Sequence, residues 1–343
     1  MLVPVLDSKM RPLMPTSTKD ARFLLDKGEA SAYWSKLGIF CVVLKKEVSI
    51  PSNKKIACGI DPGSSFEGWS IISPRGIILN GMSEAPRHIK KAVEQRRVMR
   101  HARRHRKCWR RPARFNNRLR NKDSLPPSTF ARWNAKIRIL DQLLKIIPIT
   151  DVAVEDVSAV TKKGKKGWNK NFSPIETGKQ WFYNQIKKRN LNLGIYKGYE
   201  TKSLRDFYQM KKSTQKDEKS FNSHAVDAFV LAAARIGYPY KSLTKEDKKM
   251  FYWTPIRVHR RQLHTLQPSK GGERKRFGGT RSIGFSKGTL VQDKNNIIRY
   301  TEGYSSKNRI TLCDIKTGER VSRNAKPEDL KILTRISFRS KLI

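Results

Sequence analysis

The chain has 343 residues with 73 Lys and Arg against 29 Asp and Glu, a formal net charge of +44. An excess on that scale opposes compaction unless a polyanion meets it, which favours nucleic-acid phosphates over an anionic membrane surface. The longest apolar stretch, Ala228 to Ala234, falls far short of the roughly 20 residues that span a bilayer, and 7 Trp and 14 Phe exclude a wholly disordered chain.

No signal pattern precedes Pro4, so a soluble intracellular protein is expected. Cys41, Cys58, Cys108 and Cys313 are scattered without a CxxC pair, which supports neither a disulfide framework nor a zinc knuckle. The length suggests two or three domains.

In chain order, Val3 to Asp7 reads as a short strand, and Ser17 or Thr18 caps a helix that stops at Gly28. Between them Pro12-Leu13-Met14-Pro15 reads as a packed turn. Ile56 to Asp61 is a buried strand ending in a carboxylate, followed by the turn Pro62-Gly63-Ser64-Ser65. Trp69 to Ile72 and Ile77 to Met82 are two further strands, so the three form an antiparallel meander.

From Arg87 to Arg120 fifteen Lys or Arg stand against one acid, Glu94. Arg96, Arg97, Arg100, Arg103, Arg104, Lys107, Arg110 and Arg111 recur at three- and four-residue spacing without an apolar stripe. Like charges so placed destabilise an isolated helix, which therefore needs phosphates to hold it. Pro112 is expected to end it, and Arg114 extends the basic run beyond.

Phe130 to Ile147 then reads as an amphipathic helix, Asp151 to Glu155 as a second buried strand ending in an acid, and Thr161 to Lys170 as a loop. Gln180 to Arg189 reads as a helix, Leu193 to Tyr199 as a strand, and His224 to Arg235 as a helix capped from Ser220 to Ser223 and stopped by Gly237. Thr254 to Arg281 holds eight Lys or Arg and one Glu, among them Arg260, Arg261, Lys275 and Arg276, and reads as a loop that grips a nucleic-acid backbone. Short alternating segments after it (Gly288 to Gln292, Ile297 to Tyr300, Arg309 to Ile315) imply a small β domain.

Asp61 and Glu155 each end an apolar strand, while His224 and Asp227 lie three apart, on one face of a helix. Taken singly, Asp61 also suits an Asx turn and Asp227 an interfacial helix position. Taken together, three hydrophobic elements each placing one acid at an end make an oxygen-ligand cage for Mg²⁺. Two such ions would activate water and stabilise the leaving oxygen of a phosphodiester, with His224 orienting or deprotonating that water. Asp156 competes with Glu155. Strand alternation puts Val152, Val154 and Asp156 on one face and Glu155 with small Ala153 on the other, where there is room for a metal.

The order of meander, helix, parallel strand and late helix matches the ribonuclease H arrangement. Gly59-Ile60-Asp61-Pro62-Gly63-Ser64 resembles the first segment of RuvC-type nucleases, Val154-Glu155 the second, and His224-Ala225-Val226-Asp227-Ala228 the third. The arginine-rich helix resembles the bridge helix of RNA-guided nucleases, and Pro12-Leu13-Met14-Pro15 resembles the PLMP domain of the transposon-encoded IscB and IsrB proteins. IscB carries an HNH nuclease, which needs a histidine, between its second and third RuvC segments. From Asp156 to Ser223 there is neither His nor Cys, so the resemblance is to IsrB.

It implies an α/β protein: a PLMP domain (1–52), a RuvC domain (53–86 and 123–250) interrupted by the bridge helix (87–122), and a β-rich domain that reads the target-adjacent motif (251–343). It further implies an RNA-guided DNA endonuclease that nicks the displaced strand with two Mg²⁺, or Mn²⁺ in their place. Its partners would be a long noncoding guide RNA (omega RNA), one protein chain per RNA, and double-stranded DNA. It would work in the prokaryotic cytoplasm at the nucleoid. A RuvC-fold resolvase acting without RNA and a nonenzymatic RNA-binding protein are the competing readings.

Overall fold

The computed structural model describes residues 2–48, 54–86, 88–105, 125–156, 158, 173–215, 218–239, 243–255, 266–267, 272–273, 281–282, 284–286, 288–305, 308–315, 317–335 and 338–343. The chain folds as two compact units, one of Ile50–Met250 and one joining Leu2–Ser49 to Phe251–Ile343. Architecture is mixed α/β in the first and β-rich in the second.

At the N-terminal end, β1 (Val3–Leu6), β2 (Pro12–Thr16), β3 (Ala30–Trp34) and β4 (Phe40–Leu44) form a sheet in the order β2-β1-β4-β3, with α1 (Thr18–Asp26) between β2 and β3 in sequence. Ser17 caps α1, its hydroxyl accepting from the Asp20 amide at 3.1 Å. Pro12-Leu13-Met14-Pro15 corrects the sequence reading: it is strand, not turn. Lying in β2 at the sheet edge, its prolines cost no ladder hydrogen bond on the outer side, while Leu13 and Pro15 alternate inward. The hairpin β3–β4, with Tyr33 opposite Cys41, has no counterpart in the sequence reading.

In the central unit β5 (Ala57–Asp61), β6 (Phe66–Ser73) and β7 (Gly76–Glu84) make the antiparallel meander. The helices α2 (His88–Arg104) and α3 (Pro127–Leu144) follow. Next come β8 (Asp151–Asp156), α4 (Pro174–Lys187), β9 (Asn192–Lys197) and α5 (Gly198–Phe207). The short α6 (Phe221–His224) leads into α7 (Val226–Ile236). Within this unit the strand order is β7-β6-β5-β8-β9, with β5, β8 and β9 parallel. The first four residues of both β5 and β8 are wholly buried, as expected of strands covered on both faces.

One face is covered by α7, which packs across β5, β6 and β8 and is buried from Val226 to Ala233. The other carries α3, tied to β6 by an ion pair between Lys136 and Glu67 in which both side chains are buried. That pair continues through the Ser83 hydroxyl, which donates to Glu67 and accepts from the Trp69 indole.

The remaining strands belong to the second unit. They are β10 (Phe251–Pro255), β11 (Leu266–Gln267), β12 (Gly272–Glu273), β13 (Arg281–Ser282), β14 (Phe285–Ser286), β15 (Thr289–Gln292), β16 (Ile298–Ser305), β17 (Arg309–Asp314), β18 (Arg320–Ala325), β19 (Lys331–Arg335) and β20 (Phe338–Leu342). Five form an antiparallel sheet in the order β18-β17-β16-β15-β19, and β10 pairs with β20. Trp34 of β3 packs on the cluster of Leu290, Tyr300 and Cys313, which joins the N-terminal sheet to this one. Cys41, Cys58 and Cys313 are buried free thiols. Among the described residues no helix is long and apolar enough to cross a membrane.

Candidate active site

Close approach of α7 to the sheet sets the site. Gly59 in β5 and Ala153 in β8 are register partners on the covered face. A side-chain carbon added at Gly59 would lie 1.8 Å from the Ala228 carbonyl oxygen, and one at Gly68 of β6 would lie 1.9 Å from that of His224. Only glycine allows the helix backbone to lie so close. One step toward the strand ends from these small residues, on the same face, stand Asp61 and Glu155. Asp227, in the first turn of α7, completes the set.

One oxygen from each of Asp61, Glu155 and Asp227 lies within 4.8 Å of the other two. Among the described residues this is the group of three or more metal-ligating side chains, and His224 lies outside it. The expected single helix from His224 is two: Ala225 (φ −106°, ψ −14°) ends α6 and begins α7. The break lets the His224 carbonyl turn onto Gly68. The His224 ring instead packs on Phe66, centroids 4.9 Å apart, and its charge acts to lower the Asp61 pKa.

Asp156 points the other way, as alternation requires. Its carboxylate accepts from the Tyr183 hydroxyl at 3.0 Å and pairs with Lys179 at 2.8 Å, and Lys179 also pairs with Glu176 at 2.7 Å. Burial disfavours the Lys179 ammonium, but the two carboxylates outweigh this and raise its pKa. The network clamps β8 to α4 from the side opposite Glu155.

Three acids this close cannot all carry uncompensated charge. Burial first, then the charge of Asp61, pushes the Glu155 carboxyl up to about 8, which favours its protonated form and the hydrogen bond it shares with Asp61. Burial also holds Asp61 above the usual carboxylate range, opposed by Lys212 and reinforced by Asp227. Two cations finish the balance: Arg205 of α5 donates to Asp227 Oδ1, and Lys212 donates to Asp227 Oδ2 while standing 3.8 Å from Asp61 Oδ2. Burial opposes the Lys212 charge, yet the three acids raise its pKa overall. Neither cation was singled out by sequence. Nothing local marks them among 73 basic residues; the fold alone brings them to the acids.

An all-oxygen donor set with no thiol or imidazole suits a hard divalent cation such as Mg²⁺ or Mn²⁺. Asp61, Glu155 and Asp227 are the residues that would hold it.

Of the basic residues expected to touch nucleic acid, Arg96, Arg97, Arg100 and Arg104 lie on α2. Every described side chain from Lys91 to Arg104 is exposed, apolar Val98 and Met99 included, and Glu94 reaches Arg97 only at 3.8 Å. The backbone of Arg103 belongs to the same helix. Lys107, Arg110, Arg111, Arg114, Arg260, Arg261, Lys275 and Arg276 lie outside the described residues, as do Pro112 and the loop from Thr161 to Lys170.

A family model described as "RRXRR protein" matches residues 3–171, just under half of the chain. No curated protein matches. Two solved structures are similar at 13% identity over 54% of this chain. One is T. thermophilus RuvC in complex with a Holliday junction substrate, with 97% of that chain covered and a TM-score of 0.29. The other is the Thermus thermophilus RuvC structure, with 98% covered and a TM-score of 0.28.

Proposed function

We propose that the chain is a divalent-metal-dependent DNA endonuclease of ribonuclease H-like (RuvC) type, which uses a bound RNA to find its target and nicks the displaced strand. The observation that carries this reading is the convergence of Asp61, Glu155 and Asp227, from three separate segments, to within 4.8 Å inside a protein of net charge +44. A basic body recruits phosphates, and an acid pocket within it has little use except to hold cations against them.

Bound there, a divalent ion or pair of ions would supply Lewis-acid polarisation of the phosphate and a nucleophilic water at neutral pH. The chain's own residues would do the rest. Asp61, rigid at the end of a buried strand, and Asp227, in the first turn of α7, would present oxygens at fixed spacing. Glu155 would give up its proton as the acids take on a cation. His224, close enough to bias Asp61, would orient or accept a proton from water. Lys179 and Tyr183 would keep β8 from rotating by holding Asp156.

Guidance by RNA rests on α2 and on the resemblance to IsrB. A helix of 17 residues, buried at Ile89 near its start but exposed at every described side chain from Lys91 to Arg104 and nearly devoid of acids, has little hydrophobic reason to form. It gains one by lying along a phosphate backbone. In this division of labour base pairing reads sequence while protein reads backbone shape and a short adjacent motif.

The test is a plasmid assay with Mg²⁺, using protein purified with its copurifying RNA and a target matched to that RNA by sequencing. Relaxed circles from the wild type, none from Asp61→Ala, and loss of activity after ribonuclease treatment are expected. Nicking that survives ribonuclease would favour a resolvase acting without RNA. Nicking by Asp61→Ala would end the metal-site reading.

A further inference from the structure

Both oxygens of Asp227 are already taken. The residue is 2% exposed, Arg205 holds Oδ1 and Lys212 holds Oδ2. The two cations differ in how they hold it. Arg205 is anchored in α5, with its side chain 19% exposed. Lys212 is 39% exposed and sits between acids, on Asp227 and 3.8 Å from Asp61. A cation bridging Asp61 and Asp227 must therefore enter the space that the Lys212 ammonium fills.

The backbone on either side of Lys212 is pinned by hydrogen bonds, while its side chain is held through its ion pairs with the acids. The Met210 amide donates to the Arg205 carbonyl at 2.8 Å and the Ser213 amide donates to the Asn222 carbonyl at 3.0 Å. Release of the ammonium thus needs only rotation of a flexible four-carbon stem, with no change of fold. Lysine suits the role, being a compact point charge on a mobile chain, where arginine makes a planar, directional fork.

We infer that Lys212 is a built-in counter-ion that occupies the cation's place in the acid cluster and is expelled when a divalent metal binds. This deepens the proposed function, since it rests on the acids being a metal site. Without metal, Lys212 and Arg205 neutralise the cluster so that the unit folds unloaded. With metal, Arg205 keeps Asp227 in place and Lys212 swings out, free to meet an anionic oxygen of the substrate. The cost of expelling it sets the metal concentration at which the site fills.

The test uses the full chain freed of nucleic acid, with Ca²⁺ as the probe for labelling and Mg²⁺ for titration. In the wild type, acetylation of Lys212 by a small N-hydroxysuccinimide ester, read by peptide mass spectrometry, should rise several-fold on adding Ca²⁺. It should not rise in Asp61→Asn. By calorimetry Lys212→Met should bind Mg²⁺ about tenfold more tightly. If that variant fails to fold, Lys212→Gln replaces it, and the wild-type labelling stands without either.

Unchanged or diminished Lys212 labelling, or Mg²⁺ affinity no tighter in the variant, would overturn the inference. The metal-site reading would survive in that case, provided that wild-type binding is lost in Asp61→Asn. Absence of Mg²⁺ binding in wild type and variant alike would overturn both.

Discussion

Replacing Gly59 by alanine tests the packing that assembles the site without touching an acid. The added carbon would sit 1.8 Å from the Ala228 carbonyl oxygen and 2.8 Å from its carbon, where such atoms do not come closer than 3.0 Å, so backbone must give by at least 1.2 Å. Neither neighbour is a mobile side-chain end, because α7 is buried from Val226 to Ala233 and β5 is clamped between β6 and β8. Overpacking typically costs about 1–3 kcal/mol, and contact with two rigid backbones puts this case near the upper figure. For a unit of this size about 3 kcal/mol corresponds to roughly 6–12 °C in Tm.

Retreat of α7 also carries Asp227 away from Asp61 and Glu155, and misplacement by about 1 Å can cost a factor of about 10² in rate. Differential scanning fluorimetry, Mg²⁺ titration and the nicking assay read the three consequences together. Gly303→Ala in β16 is the control, since nothing lies within 4 Å of its added carbon. A Gly59→Ala protein with wild-type Tm and metal affinity would refute the claim that close helix-to-strand contact builds the site.

The protonated state of Glu155 sets a pH dependence. Its folded pKa, about 8, lies above its ordinary value of 4.5, so its stabilising contribution is complete below that ordinary value and is lost as pH rises through about 8. Melting of metal-free protein should therefore fall between pH 5 and 8, and Mg²⁺ affinity should rise over the same window; a flat profile in both would contradict the assignment. Glu155→Gln mimics the protonated acid and should keep the metal-free unfolding free energy at pH 7 within about 0.5 kcal/mol while abolishing stabilisation by Mg²⁺.

Lys136→Met strands the buried Glu67 carboxylate and should cost about 3–5 kcal/mol, whereas Glu67→Leu with Lys136→Met should cost less than either single change. Denaturant melts of all three variants decide, and additive losses would refute the pairing. Replacing Arg96, Arg97, Arg100 and Arg104 by alanine should flatten the salt dependence of RNA binding by roughly 0.7–0.9 in log–log slope per lost phosphate contact. An unchanged slope would place the RNA elsewhere.

Much of the site's framework is legible along the chain because strands and helices have different periods. Uninterrupted apolar runs mark β5 and β8 as doubly covered. Alternation alone puts Glu155 with Ala153 and turns Asp156 to the opposite face, where Lys179 and Tyr183 hold it. The basic run names α2 through the absence of any apolar stripe. Local chemistry leaves Ser17 or Thr18 as the cap of α1, and the fold uses Ser17.

What tertiary structure alone decided depends on partners distant in sequence. Pro12-Leu13-Met14-Pro15 is strand because β1 supplies an edge to pair with, a fact absent from its own four residues. The helix after Phe221 breaks at Ala225, where the His224 carbonyl lies against Gly68, more than 150 residues earlier. Residues 2–49 join 251–343 through contacts such as that of Trp34 with the β15–β17 core. Arg205 and Lys212 become special only when folding sets them against Asp227. Periodicity is written residue by residue, but charge balance in a buried pocket is a sum over neighbours that only three-dimensional packing selects.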